Sequence, residues 1–107
     1  MDNQIDTVFA VLADPTRRAV IEHLTKGPAT VTELHEPHAM ALPTFLKHLG
    51  RLEAVGLVRS AKKGRVRTLH IEAAPLEKAE TWIKQQRHMW DRRLDRLAAL
   101  ASQMKGD

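Results

Sequence analysis

The chain has 107 residues and no cysteine. That excludes a disulfide framework, a thiolate metal site and a cysteine nucleophile. No apolar run approaches the roughly 20 residues that span a bilayer, and no signal peptide precedes the first helical pattern, so the chain reads as cytoplasmic. There is no Gly-rich phosphate loop, no carboxylate pair at a suggestive spacing and no Ser-His arrangement with local context, which leaves catalysis without a site and the chain reading as a non-enzyme. Internal repeats, low-complexity segments and linkers are also missing, and residues 1–107 read as one domain. A chain of this length builds a modest core, near the size where oligomerisation adds useful stability. Its 43% apolar and 28% charged residues are those of a soluble globular protein.

What is present is unevenly distributed. The net charge is +4, and residues 42–72 carry seven basic side chains against two acidic ones (Glu53 and Glu72). The rest of the chain holds ten basic and eleven acidic residues, so the whole excess lies in less than a third of the sequence. Such clustering points to a polyanion-binding face rather than a scattered solvated surface.

Apolar spacing supplies the elements. Ile5, Val8, Phe9 and Leu12 share one helical face. Asp14-Pro15 then offers an N-cap and a first-turn proline for a second helix, which carries Ala19, Val20, Ile21 and Leu24 and stops at Lys26-Gly27-Pro28. Thr30-Val31-Thr32-Glu33 has the spacing of a capping box and opens a short third helix, bounded by Pro37. A fourth helix over about 42–55 buries Phe45, Leu49 and Leu52, ends at Gly56, and shows Thr44, Lys47, His48 and Arg51 between the apolar positions. Leu57–Ser60 and Val66–Ile71 read as strands joined by Ala61-Lys62-Lys63-Gly64-Arg65, with Gly64 supplying the positive φ of a hairpin. After Pro75, Leu76, Ile83, Trp90, Leu97 and Met104 recur at intervals of seven, with Ala79 and Leu100 beside them. A helix of about 28 residues would be about 40 Å long, more than so small a domain can cover. That favours packing against a second copy, with Trp82 and Trp90 in the dimer core.

Four helices, a hairpin and a long helix make a mainly α fold with a small β-hairpin. This is the order of a winged helix-turn-helix with a long C-terminal dimerisation helix. Its parts are a helical core over 3–55, a wing over 57–72 and a dimerisation helix over 75–104. A helix with one buried and one cationic face, followed by a cationic ribbon, suits a double-stranded DNA groove and its flanking phosphates. Thr44 and His48 are placed on the exposed side, where side chains reach base edges, and Lys47 reaches a phosphate or a guanine. Leu46 meets a thymine methyl or packs on a neighbouring helix, and Arg51 meets phosphate. Lys62, Lys63, Arg65 and Arg67 form the wing, with strand alternation sending Arg65 and Arg67 to one side. Thr16, Arg17 and Thr30 add phosphate contacts, although Arg17 and Arg18 read equally as surface ion-pair residues. No cofactor motif is present. A metal reading rests only on His35 and His38, three apart, with Glu36 or His88 joining, and Pro37 between them disturbs the helical spacing. A metal-responsive repressor and a protein-interaction adaptor built on the long helix are the alternatives; an adaptor has no use for four basic residues in the wing.

The same residues resemble the arsenical-resistance repressor (ArsR) family of small bacterial regulators. The likeness runs through Leu12-Ala13-Asp14-Pro15-Thr16-Arg17-Arg18, Gly27-Pro28, Thr30-Val31-Thr32-Glu33-Leu34, Glu36-Pro37, Met40, Leu42-Pro43, Lys47-His48-Leu49, Leu52-Glu53 and Gly56-Leu57-Val58. The resemblance implies a homodimeric winged-helix protein that binds an imperfect palindrome in a promoter, mostly represses, and in many members releases DNA when a metal ion or small effector binds. Three departures stand out. Where metal-sensing members carry Glu-Leu-Cys-x-Cys, this chain has Glu33-Leu34-His35-Glu36-Pro37-His38, so arsenic(III) sensing of that type is excluded for want of thiolates. The family's usual N-cap serine of the recognition helix is Ala41, and Leu46 stands where serine is frequent. Gly50 interrupts the helix at a propensity cost of about 1 kcal/mol, which implies that bulk there meets DNA or a neighbouring helix.

Overall fold

The computed structural model describes residues 3–105; the residues beyond them that the one-domain reading takes in lie outside it. Helix α1 (Asn3–Leu12) buries Val8 and Val11. Phe9, read from spacing as part of the same core face, is instead half-exposed and meets Trp82 edge-on, ring centroids 5.9 Å apart. Helix α2 (Pro15–Thr25) starts as its sequence dictates: the Asp14 carboxylate accepts the Arg17 backbone N–H at 3.0 Å and Pro15 occupies the first turn. Its buried face holds Val20, Ile21 and Leu24.

Thr30 caps helix α3 (Val31–His35) by accepting the Glu33 N–H at 3.2 Å, the first of the two bonds of the expected capping box, while the Glu33 carboxylate accepts from the Thr30 hydroxyl. Helix α4 (Leu42–Ala54) puts Phe45, Leu49 and Leu52 wholly inside, among the side chains of α2, Leu34, Leu57 and Leu69. Burying such a side chain contributes about 1.5–3 kcal/mol, so this stripe sets the tilt of α4 on the core. Its end is a Schellman motif: Gly56 adopts φ 80°, its N–H bonds the Glu53 carbonyl, and the Leu57 N–H bonds that of Leu52, each at 3.0 Å.

Spacing missed a strand. Ala29–Thr30 (β1) pairs antiparallel with β3 (Val66–Ile71), which lies between β1 and β2 (Val58–Lys63). Two residues are too short to show a period of two, and the pairing exists only once the hairpin folds back. The hairpin is also tighter than expected. Strand β2 runs on to Lys63, opposite Val66, leaving Gly64 and Arg65 as the whole turn. Gly64 sits at φ 63° in the first central position and Arg65 keeps a negative φ, the pattern of a type II′ turn. In the outer half of the ribbon, residues 61–66 are exposed.

Helix α5 (Ala74–Lys105) spans 32 residues. Among the described residues, its first turns meet the rest of the chain: Pro75 and Ala79 are buried, Leu76 packs on the core, and Lys78 donates to the Gln4 side chain at 2.6 Å. From residue 80 to 105 every side chain is exposed, including Ile83 at 49%, Trp90 at 62% and Met104 at 81%. The radius of gyration, 20.2 Å, exceeds the roughly 13 Å of a compact chain of this length because the helix projects freely. Leu76, read as the first residue of the dimer stripe, belongs to the core of its own chain.

Candidate nucleic-acid interface

With about 100° per helical residue and a stripe of Phe45, Leu49 and Leu52 facing inward, the outward face of α4 centres on Lys47, Gly50 and Ala54. Leu46 and Arg51 flank it. All five are exposed, as is Thr44 near the helix start. A β-carbon added to Gly50 would meet nothing within 4 Å, so no neighbouring helix demands a glycine there. Ala41 offers no side-chain cap, as its sequence implies.

His48 is not where the spacing placed it. Its ring turns back toward the start of α2 and is half-buried. Nδ1 lies 3.2 Å from Arg17 Nη1 and 3.7 Å from Asp14 Oδ2. A guanidinium has only donors, so Nδ1 is the acceptor and the neutral ring carries its proton on Nε2. Arg17, read as a phosphate contact or a surface ion-pair residue, is the one buried charged side chain among the described residues, 8% exposed. Its Nε donates to the Val11 carbonyl at 2.7 Å and its Nη2 to that of Ala10 at 3.2 Å, closing the C-terminal turn of α1. Burial of the charge is tolerated because the fork is satisfied on three sides. The bond from the Arg17 backbone N–H, with smaller help from the charges of His48 and Arg17, holds the Asp14 carboxyl below its ordinary value against an opposing desolvation effect.

The wing cations divide into two groups. Arg67 pairs with Glu53 of α4, and Arg59 with Glu72 at 2.8 Å. Lys62, Lys63, Arg65, Lys47 and Arg51 make no ion pair among the described residues. The alternation argument for Arg65 and Arg67 fails because Arg65 lies in the turn and Arg67 faces the helix. The Glu53–Arg67 contact joins hairpin to recognition helix, so the remaining cations of both belong to one unit. No sequence signal pairs residues 14 apart; the Arg17 anchor was equally hidden, since its burial depends on α1, α2 and α4 meeting.

Thr30 is also committed elsewhere: besides its cap, its hydroxyl donates to the Glu33 carboxylate at 3.2 Å. The His35 and His38 rings both lie against Phe45, at centroid distances of 5.1 and 5.2 Å, and His35 Nε2 donates to the Met40 carbonyl at 2.8 Å. These histidines pack over the α3–α4 turn, and the metal reading built on them loses its first ligand. Among the described residues no three His, Cys, Asp or Glu side chains come together to hold a metal.

A short helix and a recognition helix joined by a turn, flanked by a three-stranded wing, define a winged helix-turn-helix. Residues 12–61 match the family described as a helix-turn-helix domain. The HTH-type transcriptional regulator Rv2034 of Mycobacterium tuberculosis is 32% identical over 95 residues, spanning 89% of this chain and 86% of the relative. Among solved structures, the ArsR family transcriptional regulator RHA00566 is 48% identical, covers 85% of this chain and 94% of its own, and superposes with a TM-score of 0.81. An ArsR-like transcriptional regulator from Rhodococcus sp. RHA1 is 31% identical, covers 92% of each chain and has a TM-score of 0.75. The chain belongs to the ArsR family of helix-turn-helix transcriptional regulators, which bind DNA.

Proposed function

We propose that the protein represses transcription as a homodimer on a palindromic operator, with one α4 in the major groove of each half-site. The observation that carries this reading is the set of unpaired cations on the outward face of α4 and on the hairpin it is tied to. Lys47 and Arg51 approach from the groove, while Lys62, Lys63 and Arg65 grip flanking phosphate. Thr44 and Leu46 are the remaining candidates for base edges and thymine methyls.

The dimer rests on the uncovered stripe Ile83, Trp90, Leu97 and Met104. Leu76 and Ala79 lie on this same face but pack on their own head, so each head sits on the side that a second helix must approach. Two parallel helices would bring both heads to one level and into collision. An antiparallel pair over about 83–104 separates them and directs two recognition helices to two half-sites.

Selection of duplexes from a randomised library by the purified protein, followed by footprinting, tests the proposal. The expected product is an inverted repeat with half-sites about 10 base pairs apart or a multiple of that. A single unrepeated half-site would refute the dimeric reading, and no enrichment would refute sequence recognition altogether.

A further inference from the structure

We propose that Arg17 is a positioning residue for DNA recognition, anchoring the recognition helix to α1 through His48, and that protonation of His48 releases this anchor. The role rests on the DNA-binding reading above.

Helix α1 packs beside α5, the helix assigned to the dimer interface, through the Phe9–Trp82 ring contact and the Lys78–Gln4 bond. One guanidinium links this unit to the reading unit: Arg17 holds the Ala10 and Val11 carbonyls with one part of its fork and the His48 ring of α4 with another. Two half-sites are read together only if both recognition helices keep a fixed angle to the dimer axis, so a part-buried bond between the two units governs discrimination more than gross affinity.

The bond is also proton-sensitive by construction. The charged groups against the ring are Arg17 of α2 and Asp14, the residue that caps it; its own helix carries Lys47 and Arg51, one and three residues away. From α1 the Ala10 and Val11 carbonyls hold the same guanidinium. A proton on Nδ1 leaves two donors facing each other at 3.2 Å and turns the ring toward Asp14 Oδ2. Asp14, held below its ordinary value, remains ionised to receive it. The sign separates this device from a histidine that simply touches phosphate. A phosphate contact strengthens when protonated, whereas loss of the anchor weakens discrimination.

The test compares binding to a duplex selected by the wild-type protein with binding to a random duplex of the same length, from about pH 8 to about pH 5, the range in which imidazoles titrate. The wild-type ratio should fall about tenfold in acid, the worth of one charge-assisted hydrogen bond. His48→Asn keeps an acceptor for Arg17 but cannot titrate, and its ratio should be flat with pH. Arg17→Lys keeps the charge but not the fork, and should lower the ratio about tenfold at both ends of the range while random-duplex binding holds. Circular dichroism and sedimentation show whether each variant is folded and associated as wild type. Imidazole nitrogen shifts give a reading independent of DNA: the neutral ring must be the Nε2–H tautomer. The opposite tautomer, or ratios unaltered within about twofold in Arg17→Lys and across pH in wild type, overturns the proposal. If wild-type protein selects no duplex, the DNA-binding reading fails and takes this role with it; a selected duplex with unaltered ratios sinks this role alone.

Discussion

Removing only the hairpin cations that lack an acidic partner should uncouple the effect of salt from the effect of fold. The variant carries Lys62→Ala, Lys63→Ala and Arg65→Ala, all on the exposed end of the ribbon. Each phosphate contact contributes about 0.9 to the slope of log affinity against log salt, so losing three should flatten the slope by about 2.7 per protomer and about 5 per dimer. Arg59→Ala and Arg67→Ala make the comparison, because these side chains already hold Glu72 and Glu53. Each should alter the slope by well under one unit, since an arginine bonded to a carboxylate has less charge to offer phosphate. Fluorescence anisotropy of a labelled random duplex, titrated at several salt concentrations between about 50 and 200 mM, measures both slopes. The triple variant should remain folded, since the turn geometry depends on Gly64 and the removed side chains are exposed. If Arg67→Ala flattens the slope as much as one of the lysines does, the Glu53 pair opens on DNA and the division of the wing into free and committed cations is wrong.

Gly50→Ala should stabilise α4 by about 1 kcal/mol, because the added methyl enters open space, yet weaken binding to the selected duplex. Urea melts and anisotropy measure the two effects, and stabilisation with unaltered binding would remove Gly50 from the interface. Ile83→Asp with Trp90→Asp should yield a monomer in sedimentation with a head of nearly wild-type stability, because both side chains are exposed within the chain; a surviving dimer refutes the stripe. Asp14→Ala should cost about 1 kcal/mol at neutral pH through the lost cap. The Asp14 carboxyl is lowered in the folded state, so its contribution is present above the ordinary aspartate value and disappears as pH falls through the folded one. Urea melts of the two proteins should therefore converge in acid, and a gap that persists at the lowest pH would contradict that sign.

Much of the fold was legible because its signals are local. The capping residues Asp14 and Thr30, the stripe Phe45-Leu49-Leu52, the stop at Gly56 and the turn glycine Gly64 each act within a few residues, and each appears in the structure as its spacing implies. The clustering of charge and the heptads of α5 are likewise properties of order along the chain, and they point to DNA and to a second copy. Features built from distant residues were not legible. Strand β1 needs β3 beside it, Glu53 needs Arg67, and the two histidines of the α3–α4 turn needed Phe45 beneath them.

The sequence by itself thus determined which segments become helix, ribbon and projecting arm, since capping, periodicity and turn chemistry are short-range forces. The tertiary structure alone decided which charges remain free for a partner. Burial and hydrogen bonding across α1, α2, α4 and the hairpin took Arg17, Arg67 and His48 out of the exposed set. They left Lys47, Arg51 and the tip of the wing, because a side chain's electrostatic role depends on what desolvates it and what sits within a few ångströms, and neither is encoded in its neighbours along the chain.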